Sequence, residues 1–282
     1  MNDNKRSTTN QTNFLIVGLG NPEKKLEFTR HNIGKFLVNR IAEEYGGTNW
    51  ITKNSYGGSI SLLKYKVKQR ENKSSKKNKK KSKSNETNQK ESIDKKVNNS
   101  KNLNLNVENR DQTDLEKQTS KESISLNENS EKETQKKEIT FHLFFLKPKY
   151  YINESGKGVL KAIKKFDIPK ENVIVLHDNL DKKLGHIQLK ECGSANGHNG
   201  IRSMIEYLET DKFYRVRIGI DRPPKTDKNK SIYNNLVGDY VLEPFKENEF
   251  IMLNNEIYNR ILDILKDLAY KKFEQICDDL LI

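Results

Sequence analysis

A long stretch without aromatic residues limits how much of this chain can fold. No Phe, Tyr or Trp occurs between Tyr65 and Phe141, where the sequence is mainly Lys, Asn, Ser, Glu and Gln. Such a stretch cannot bury enough apolar surface to offset the conformational entropy that is lost when a chain becomes ordered. The sequence therefore predicts a disordered, low-complexity insertion over residues 66–138.

The segments on either side of the insertion have the pattern of one α/β domain. Residues 1–12 are polar and are predicted to form a disordered tail. The predicted domain then comprises residues 13–65 and 139–282, which is about 200 residues and enough for one core. Apolar runs and turn signals alternate in a β-α-β order. This order predicts a single three-layer α/β domain, in which a mixed β-sheet has helices on both faces.

The apolar runs that border the insertion predict a β-hairpin. Residues 59–67 and residues 139–146 both read as strands, and they are adjacent once the insertion is set aside. Because antiparallel strands need only a tight connection, the insertion is expected to extend from the end of this hairpin.

The net charge predicts a polyanionic partner. The 282 residues carry a formal net charge of +13, of which residues 66–138 account for +7 and the remainder for +6. Within the insertion, residues 66–83 alone carry +9, from 10 basic residues and one acid. Basic charge of this kind favours nucleic acid binding. The alternative for the insertion is a compositional bias towards Lys and Asn that has no function.

The spacing of the cysteines and the lack of a long apolar run predict a cytoplasmic protein. Cys192 and Cys277 have neither a CxxC spacing nor a metal-binding spacing, which favours two reduced thiols. No apolar run reaches the ~20 residues that cross a membrane, and residues 1–12 lack the apolar core of a signal peptide. We therefore expect no membrane association, and an organellar address stays open.

Polar residues stand where the predicted strands end and the predicted helices begin. Asn21 follows the first strand, Asp178 follows the strand at residues 173–176, and His31, Asn153 and Asn199 stand at helix starts. Side chains at the ends of strands in α/β sheets leave the core together and bind ligands. One His, one Asp and three Asn suit a site that moves one proton and orients a polar substrate.

Each of these motifs also has a simpler interpretation. Gly18 and Gly20 begin a dinucleotide-binding fingerprint, but Glu23 occupies the position of its third glycine. Asn21 and Asn199 are compatible with turns, and Asn153 is compatible with a helix N-cap. Three other histidines are expected to be structural: His142, His177 and His186. The chain has no G-x-S-x-G motif, so a serine hydrolase is not indicated.

The motifs taken in order resemble one family. Residues 14–34 read FLIVGLGNPEKKLEFTRHNIG, and they are followed by YINESGK at 151–157, HDNLD at 177–181 and GHNG at 197–200. The segments YRVRIGI at 214–220 and VGDYVL at 237–242 come next. This succession resembles the bacterial-type peptidyl-tRNA hydrolases over nearly the whole chain, apart from the first dozen residues and the insertion.

The resemblance implies an enzyme that needs no metal or cofactor. It would hydrolyse the ester between tRNA and a peptide or an N-blocked aminoacyl group, and so recycle tRNA from peptidyl-tRNA that stalled ribosomes release. His31 occupies the position of the catalytic histidine, and Asp178 occupies that of its orienting carboxylate. The positions that match substrate-binding residues are Asn21, Leu26, Ile152, Asn153, His198 and Asn199.

The resemblance also implies how tRNA is bound. Lys190 and Arg217 match a basic pair that holds the 5′-phosphate, so the expected partner is the acceptor stem and 3′ end of peptidyl-tRNA, bound by a monomer. Two residues depart from the family pattern: Glu23 replaces a glycine, and Leu26 replaces an aromatic residue. Both departures are expected to weaken or alter binding of the tRNA 3′ end.

The main alternative is an RNA-binding relative that has lost catalysis, similar to plant organellar splicing factors of this fold. A protein that only binds RNA has no need of a proton relay. The presence of His31, Asp178 and the three asparagines together therefore favours the enzyme.

Overall fold

The computed structural model describes residues 11–68, 138–224 and 230–279. Most of the predicted tail and insertion lies outside these residues, and so does the side chain of Cys277. The described chain forms a seven-stranded sheet in the order β2-β3-β4-β1-β5-β7-β6. The strands are β1 (Gln11–Gly18), β2 (Ile51–Lys53), β3 (Gly58–Lys68), β4 (Glu138–Pro148), β5 (Val173–Asn179), β6 (Ile187–Lys190) and β7 (Tyr214–Gly219).

The four central strands β4, β1, β5 and β7 are parallel, and the β2–β3, β3–β4 and β7–β6 pairs are antiparallel. Parallel strands end at the same edge of a sheet, so the segments that follow β1, β4, β5 and β7 lie along one edge. The predicted β3–β4 hairpin is confirmed, with pairing that continues to Lys68 and Glu138. Strand β3 thus extends three residues into the predicted insertion and β4 extends one.

The described residues form six α-helices: α1 (Ile33–Glu44), α2 (Ser155–Lys165), α3 (Asn199–Leu208), α4 (Lys230–Leu242), α5 (Glu247–Met252) and α6 (Tyr258–Asp279). Apolar residues of α2 and α3 pack on one face of the sheet, and those of α1 and α6 pack on the other. The alternation of side chains along a strand supplies both cores. In β4, for example, Phe144 belongs to the first core and Phe145 to the second. The predicted three-layer α/β fold with a mixed sheet is therefore confirmed. None of the described helices combines the length and the apolar character needed to cross a membrane.

Gly18 and Gly34 allow α1 to lie directly against the end of β1. A Cβ atom on Gly18 would be 2.5 Å from the carbonyl oxygen of Gly34, which is closer than two such atoms can approach. The glycine at the end of the first strand is thus explained by helix packing. This packing brings the start of α1 to the edge where the parallel strands end.

Candidate active site

His31 and Asp178 meet at the carboxyl end of β5. His31 lies in the single 3₁₀ turn Arg30–Asn32 that precedes α1, and Asp178 is a buried residue of β5 with 2% exposure. The Nδ1 atom of His31 is 3.0 Å from both carboxylate oxygens of Asp178. Because a carboxylate only accepts hydrogen bonds, the proton of the neutral ring is on Nδ1. The Nε2 atom of His31 is then the one that can accept a proton.

His198 binds the same carboxylate from the other side. Its Nε2 atom is 3.0 Å from Oδ1 of Asp178, and its Nδ1 atom accepts a hydrogen bond of 3.2 Å from the backbone N–H of Ile201. The latter contact makes His198 the N-cap of α3. Since Nδ1 accepts, the ring proton is on Nε2, and His198 donates it to Asp178. His198 is therefore a neutral donor that holds the carboxylate in place.

The contacts between Asp178 and the two histidines raise the pKa of His31, as a general base requires, and lower the pKa of Asp178. Burial lowers the pKa of His31, but the charge of Asp178 and the hydrogen bond to it outweigh burial and raise that pKa above 6.5. Burial raises the pKa of Asp178, but His31 and His198 outweigh it and hold that pKa well below 3.8. Asp178 is thus ionised at neutral pH and favours the protonated form of His31.

His177 is a neutral residue behind this group. Its Nδ1 atom donates a hydrogen bond of 2.7 Å to the backbone oxygen of Asp178, and its ring lies edge-on to His198 with 4.7 Å between centroids. Burial, followed by the proximity of His198, holds the pKa of His177 well below 6.5. These contacts agree with the structural role expected for His177.

Asn21 and Asn32 connect the loop after β1 to the loop after β4. The side-chain oxygen of Asn21 accepts a hydrogen bond of 3.0 Å from the backbone N–H of Ile152. The side chain of Asn32 binds the backbone N–H and C=O of Asn21, at 2.8 Å and 3.0 Å. Asn32 is buried and directly follows His31. The sequence interpretation did not assign it a role, although a polar residue at the start of an apolar helix was a usable signal.

A cavity of about 580 Å³ opens beside His31. It lies over the ends of β5, β6 and β7, between the loop 192–199 and α4. Of the residues predicted to form the site, the cavity is lined by His31, Asp178, Lys190, His198, Asn199 and Arg217. Leu26, Asn21, Ile152 and Asn153 do not line it. They lie in the segments that follow β1 and β4, which are on the other side of β5 in the sheet order.

The predicted substrate-binding residues differ in how they are held. Ile152 is buried, whereas Asn153 is exposed and Leu26 is half-buried. Asn199 is exposed, and its side-chain oxygen accepts a hydrogen bond of 3.2 Å from Arg202. Glu23, which departs from the family pattern, accepts a hydrogen bond of 2.9 Å from the hydroxyl of Tyr151.

Basic side chains form one wall of the cavity. Arg217 is buried and donates a hydrogen bond of 3.2 Å to Gln188 of the neighbouring strand, while Lys190 is exposed at the end of β6. Arg215, which sequence reasoning did not single out, is buried and donates 3.0 Å hydrogen bonds to the backbone oxygens of Ser194 and Asp211. Arg215 thereby anchors the loop 192–199, and its charge adds to that of the predicted pair.

Among the described residues, one group of His, Cys, Asp and Glu side chains is close enough to share a metal ion, and it is His31, Asp178 and His198. Both imidazole atoms in this group already donate hydrogen bonds to the carboxylate. A metal ion bound here would therefore have to replace both of these hydrogen bonds.

Comparison with known proteins gives a consistent result. A family model described as peptidyl-tRNA hydrolase matches residues 15–73 and 104–280. The peptidyl-tRNA hydrolase of Ligilactobacillus salivarius is 32% identical over 236 residues, which cover 83% of this chain and 82% of the relative. That of Rickettsia bellii is 27% identical over 262 residues, which cover 93% and 96%. The crystal structure of peptidyl-tRNA hydrolase from Acinetobacter baumannii has the same fold, with a TM-score of 0.57 at 24% identity, over 95% of this chain and 93% of that one.

Proposed function

Because the chain belongs to the peptidyl-tRNA hydrolase family, we propose that His31 is the general base of an enzyme that hydrolyses the ester between tRNA and a peptide or an N-blocked aminoacyl group. The observation that carries this proposal is the shared carboxylate of Asp178, which receives one N–H from His31 and one from His198. This arrangement leaves Nε2 of His31 free to accept a proton beside the cavity. The alternative of an inactive RNA-binding relative is not supported by the relatives, which are peptidyl-tRNA hydrolases.

The reaction begins when Nε2 of His31 takes a proton from a water molecule as the water oxygen attacks the ester carbonyl carbon. The tetrahedral intermediate then breaks its bond to the ribose oxygen, and the imidazolium returns the proton to that oxygen. General-base assistance of this kind contributes roughly 10²- to 10⁴-fold. Asp178 stabilises the imidazolium while it exists, and His198 keeps the carboxylate oriented.

The amide groups have two roles in this proposal. An N–H₂ group of Asn153 or Asn199 directed at the developing oxyanion would contribute about 3 kcal/mol. Asn21, together with Leu26 and Ile152, would contact the peptide backbone and the tRNA 3′ end without selecting peptide side chains. This lack of selectivity suits an enzyme that must accept any peptide.

Lys190 and Arg217 would bind the 5′-phosphate of the acceptor stem, with Arg215 and the loop 192–199 completing the basic wall. Basic side chains supply most of the affinity of proteins for nucleic acid phosphates. The proposed enzyme acts as a monomer in the cytoplasm.

The test is release of free tRNA from an N-acetylated aminoacyl-tRNA, with the unblocked aminoacyl-tRNA as the control substrate. Wild-type protein should release tRNA from the blocked substrate only. His31→Ala should lose at least about 100-fold in kcat, with tRNA affinity within a few-fold of wild type. The matched variant is His186→Ala, which removes an exposed histidine outside the cavity lining. If His31→Ala keeps more than a tenth of wild-type activity, the base is another residue.

A further inference from the structure

Arg30, the residue before His31, is buried although it carries a charge. It is 3% exposed, and its guanidinium extends to the segment 243–245, which joins α4 to α5. Nη1 donates a hydrogen bond of 2.8 Å to the backbone oxygen of Pro244 and a longer one of 3.4 Å to that of Glu243. Nη2 forms an ion pair of 2.9 Å with Glu249 of α5.

Aromatic rings fix the plane of the same guanidinium. Its central carbon is 4.4 Å from the ring centroid of Tyr240 and 5.3 Å from that of Phe245. The hydroxyl of Tyr240 in turn donates a hydrogen bond of 2.7 Å to the backbone oxygen of Ile220, directly after β7. A planar guanidinium that stacks on a ring and donates several directed hydrogen bonds cannot be replaced by a lysine ammonium without loss of geometry.

Backbone pairing joins the two segments as well. The N–H of Arg30 donates to the oxygen of Glu243 at 3.1 Å, and the N–H of Phe245 donates to the oxygen of Phe28 at 3.3 Å. Between them, Thr29 and Pro244 form an antiparallel bridge. The backbone that leads into His31 is therefore paired to the end of α4.

His31 is thus held between two anchors. On its C-terminal side, Asn32 binds Asn21 of the loop after β1. On its N-terminal side, Arg30 binds the segment 243–245. A single 3₁₀ turn has little stability of its own, so the position of the imidazole depends on these flanking contacts.

Helix α4, which leads into the segment 243–245 and places Tyr240 against Arg30, also shapes the cavity. Asn234, Val237, Gly238 and Val241 of α4 line the cavity that His31 faces. We propose that Arg30 is a positioning residue, which fixes His31 against Asp178 and joins it to the α4 wall of the cavity. This proposal rests on the proposed function, because it assumes that His31 is the base.

Loss of the Arg30 contacts should displace His31 and reduce turnover more than it reduces the stability of the fold. Arg30→Lys keeps a positive charge beside Glu249 and so avoids the large cost of leaving one partner of a buried ion pair alone. Displacement of a catalytic group by about 1 Å, in contrast, can reduce turnover by about 100-fold. Loss of Arg30 contacts should therefore lower kcat out of proportion to the change in Tm.

Arg30→Lys keeps the charge and removes the planar group. We expect its kcat to fall about 10- to 100-fold, with KM and tRNA affinity within about twofold of wild type, because no contact with substrate is removed. The matched control is Arg40→Lys on α1. Arg40 also lies over an aromatic ring, 3.6 Å from the centroid of Tyr258, and donates to Asn254, but it does not line the cavity. The control, at a side chain that is 31% exposed, should lower Tm and leave kcat within about twofold.

A second measurement needs no substrate. NMR titration of the His31 imidazole in the free protein reports its contact with Asp178 and His198, the ionisable groups that face it. In Arg30→Lys the midpoint should move from its raised value towards 6.5, whereas Arg40→Lys should leave it unchanged. If kcat and this midpoint both match wild type in Arg30→Lys while Tm falls as in the control, Arg30 only stabilises the fold and the proposal is wrong.

Should Arg30→Lys fail to fold, Glu249→Gln tests the same anchor from the other side. It retains Arg30 and its backbone acceptors, so a smaller loss of kcat is expected, and an unchanged kcat together with an unchanged His31 midpoint overturns the proposal. Failure of the wild-type protein to release tRNA would instead refute the proposed function. The His31 titration would still decide the role of Arg30 in that case.

Discussion

At the scale of single residues, Asp178 sets the pH range in which His31 can act. A histidine base works when it is neutral, so activity falls as the pH drops through its pKa. The carboxylate raises the pKa of His31 above 6.5, and without the carboxylate burial would lower it. The wild-type profile of kcat/KM should therefore have its acidic midpoint above pH 6.5, and that of Asp178→Asn should have it below pH 6.5, with a smaller kcat throughout. If the two profiles have the same acidic midpoint, Asp178 does not influence the pKa of the base.

Lys190 and Arg217 lead to a prediction about phosphate. Replacement of either by Ala should weaken binding of all tRNAs and flatten the slope of log K against log salt by about one unit or less. A substrate without a 5′-phosphate should be nearly insensitive to both changes. Lys164→Ala, which removes an exposed lysine outside the cavity lining, is the control for general charge loss. Equal losses with and without the 5′-phosphate would show that these side chains bind elsewhere on the tRNA.

At the residue scale, local motifs could be interpreted from the sequence. The resemblance of two such motifs to one family paired His31 with Asp178, and the structure places these two side chains in contact. The roles of Arg30 and Arg215 could not be predicted, because their partners are backbone oxygens in loops. The oxygens that Arg30 binds are more than 200 positions away along the chain, and no pattern in a sequence reports such a contact.

At the scale of elements, a strand or helix could be predicted from the sequence when it is long and buries a clear set of apolar residues. Strands β1 and β5, helix α1 and the β3–β4 hairpin were predicted, since each has a long apolar run or a clear helical stripe. Strand β2 was not, because it has three residues and presents no repeating pattern. Helix α4 was also missed. Of its side chains that the structure describes, only Val241 is buried, so it lacks the apolar stripe of a helix that packs on a core.

The β3–β4 hairpin predicts that the insertion is dispensable for chemistry. Lys68 and Glu138 are a paired position of the hairpin, so an Asn-Gly turn can replace residues 69–137. Shortening a long connection lowers the entropy cost of closing it, and the variant should be slightly more stable than wild type. Its kcat should match wild type. Its KM should be higher only at low salt, where the basic residues of the removed segment attract tRNA most strongly. A reduced kcat at every salt concentration would contradict this prediction and the domain boundary with it.

At the scale of the whole molecule, one sheet joins two cores. Phe144 and Phe145 are neighbours in β4, with 0% and 1% exposure, and they face opposite cores. Phe144 also stacks on Phe166, with 4.4 Å between ring centroids. Replacement of either by Ala should lower the free energy of unfolding by about 3–5 kcal/mol. Because the sheet is shared, both variants should unfold in a single transition by circular dichroism. Two separate transitions in either variant would show that the layers unfold independently.

The central place of β1 has a consequence for how the protein is made. Its two neighbours in the sheet, β4 and β5, begin at Glu138 and Val173, so a ribosome finishes β1 long before either partner exists. At translation rates of about 5–20 residues per second, β1 waits roughly 10 s for β4, and the insertion accounts for more than half of that delay. Stalled nascent chains that end before residue 138 should accordingly remain sensitive to protease within β1. During this interval a buried strand of the mature enzyme is a free edge that can pair with other chains. Protection of the nascent chain by chaperones should therefore matter more for this protein than for a relative without the insertion.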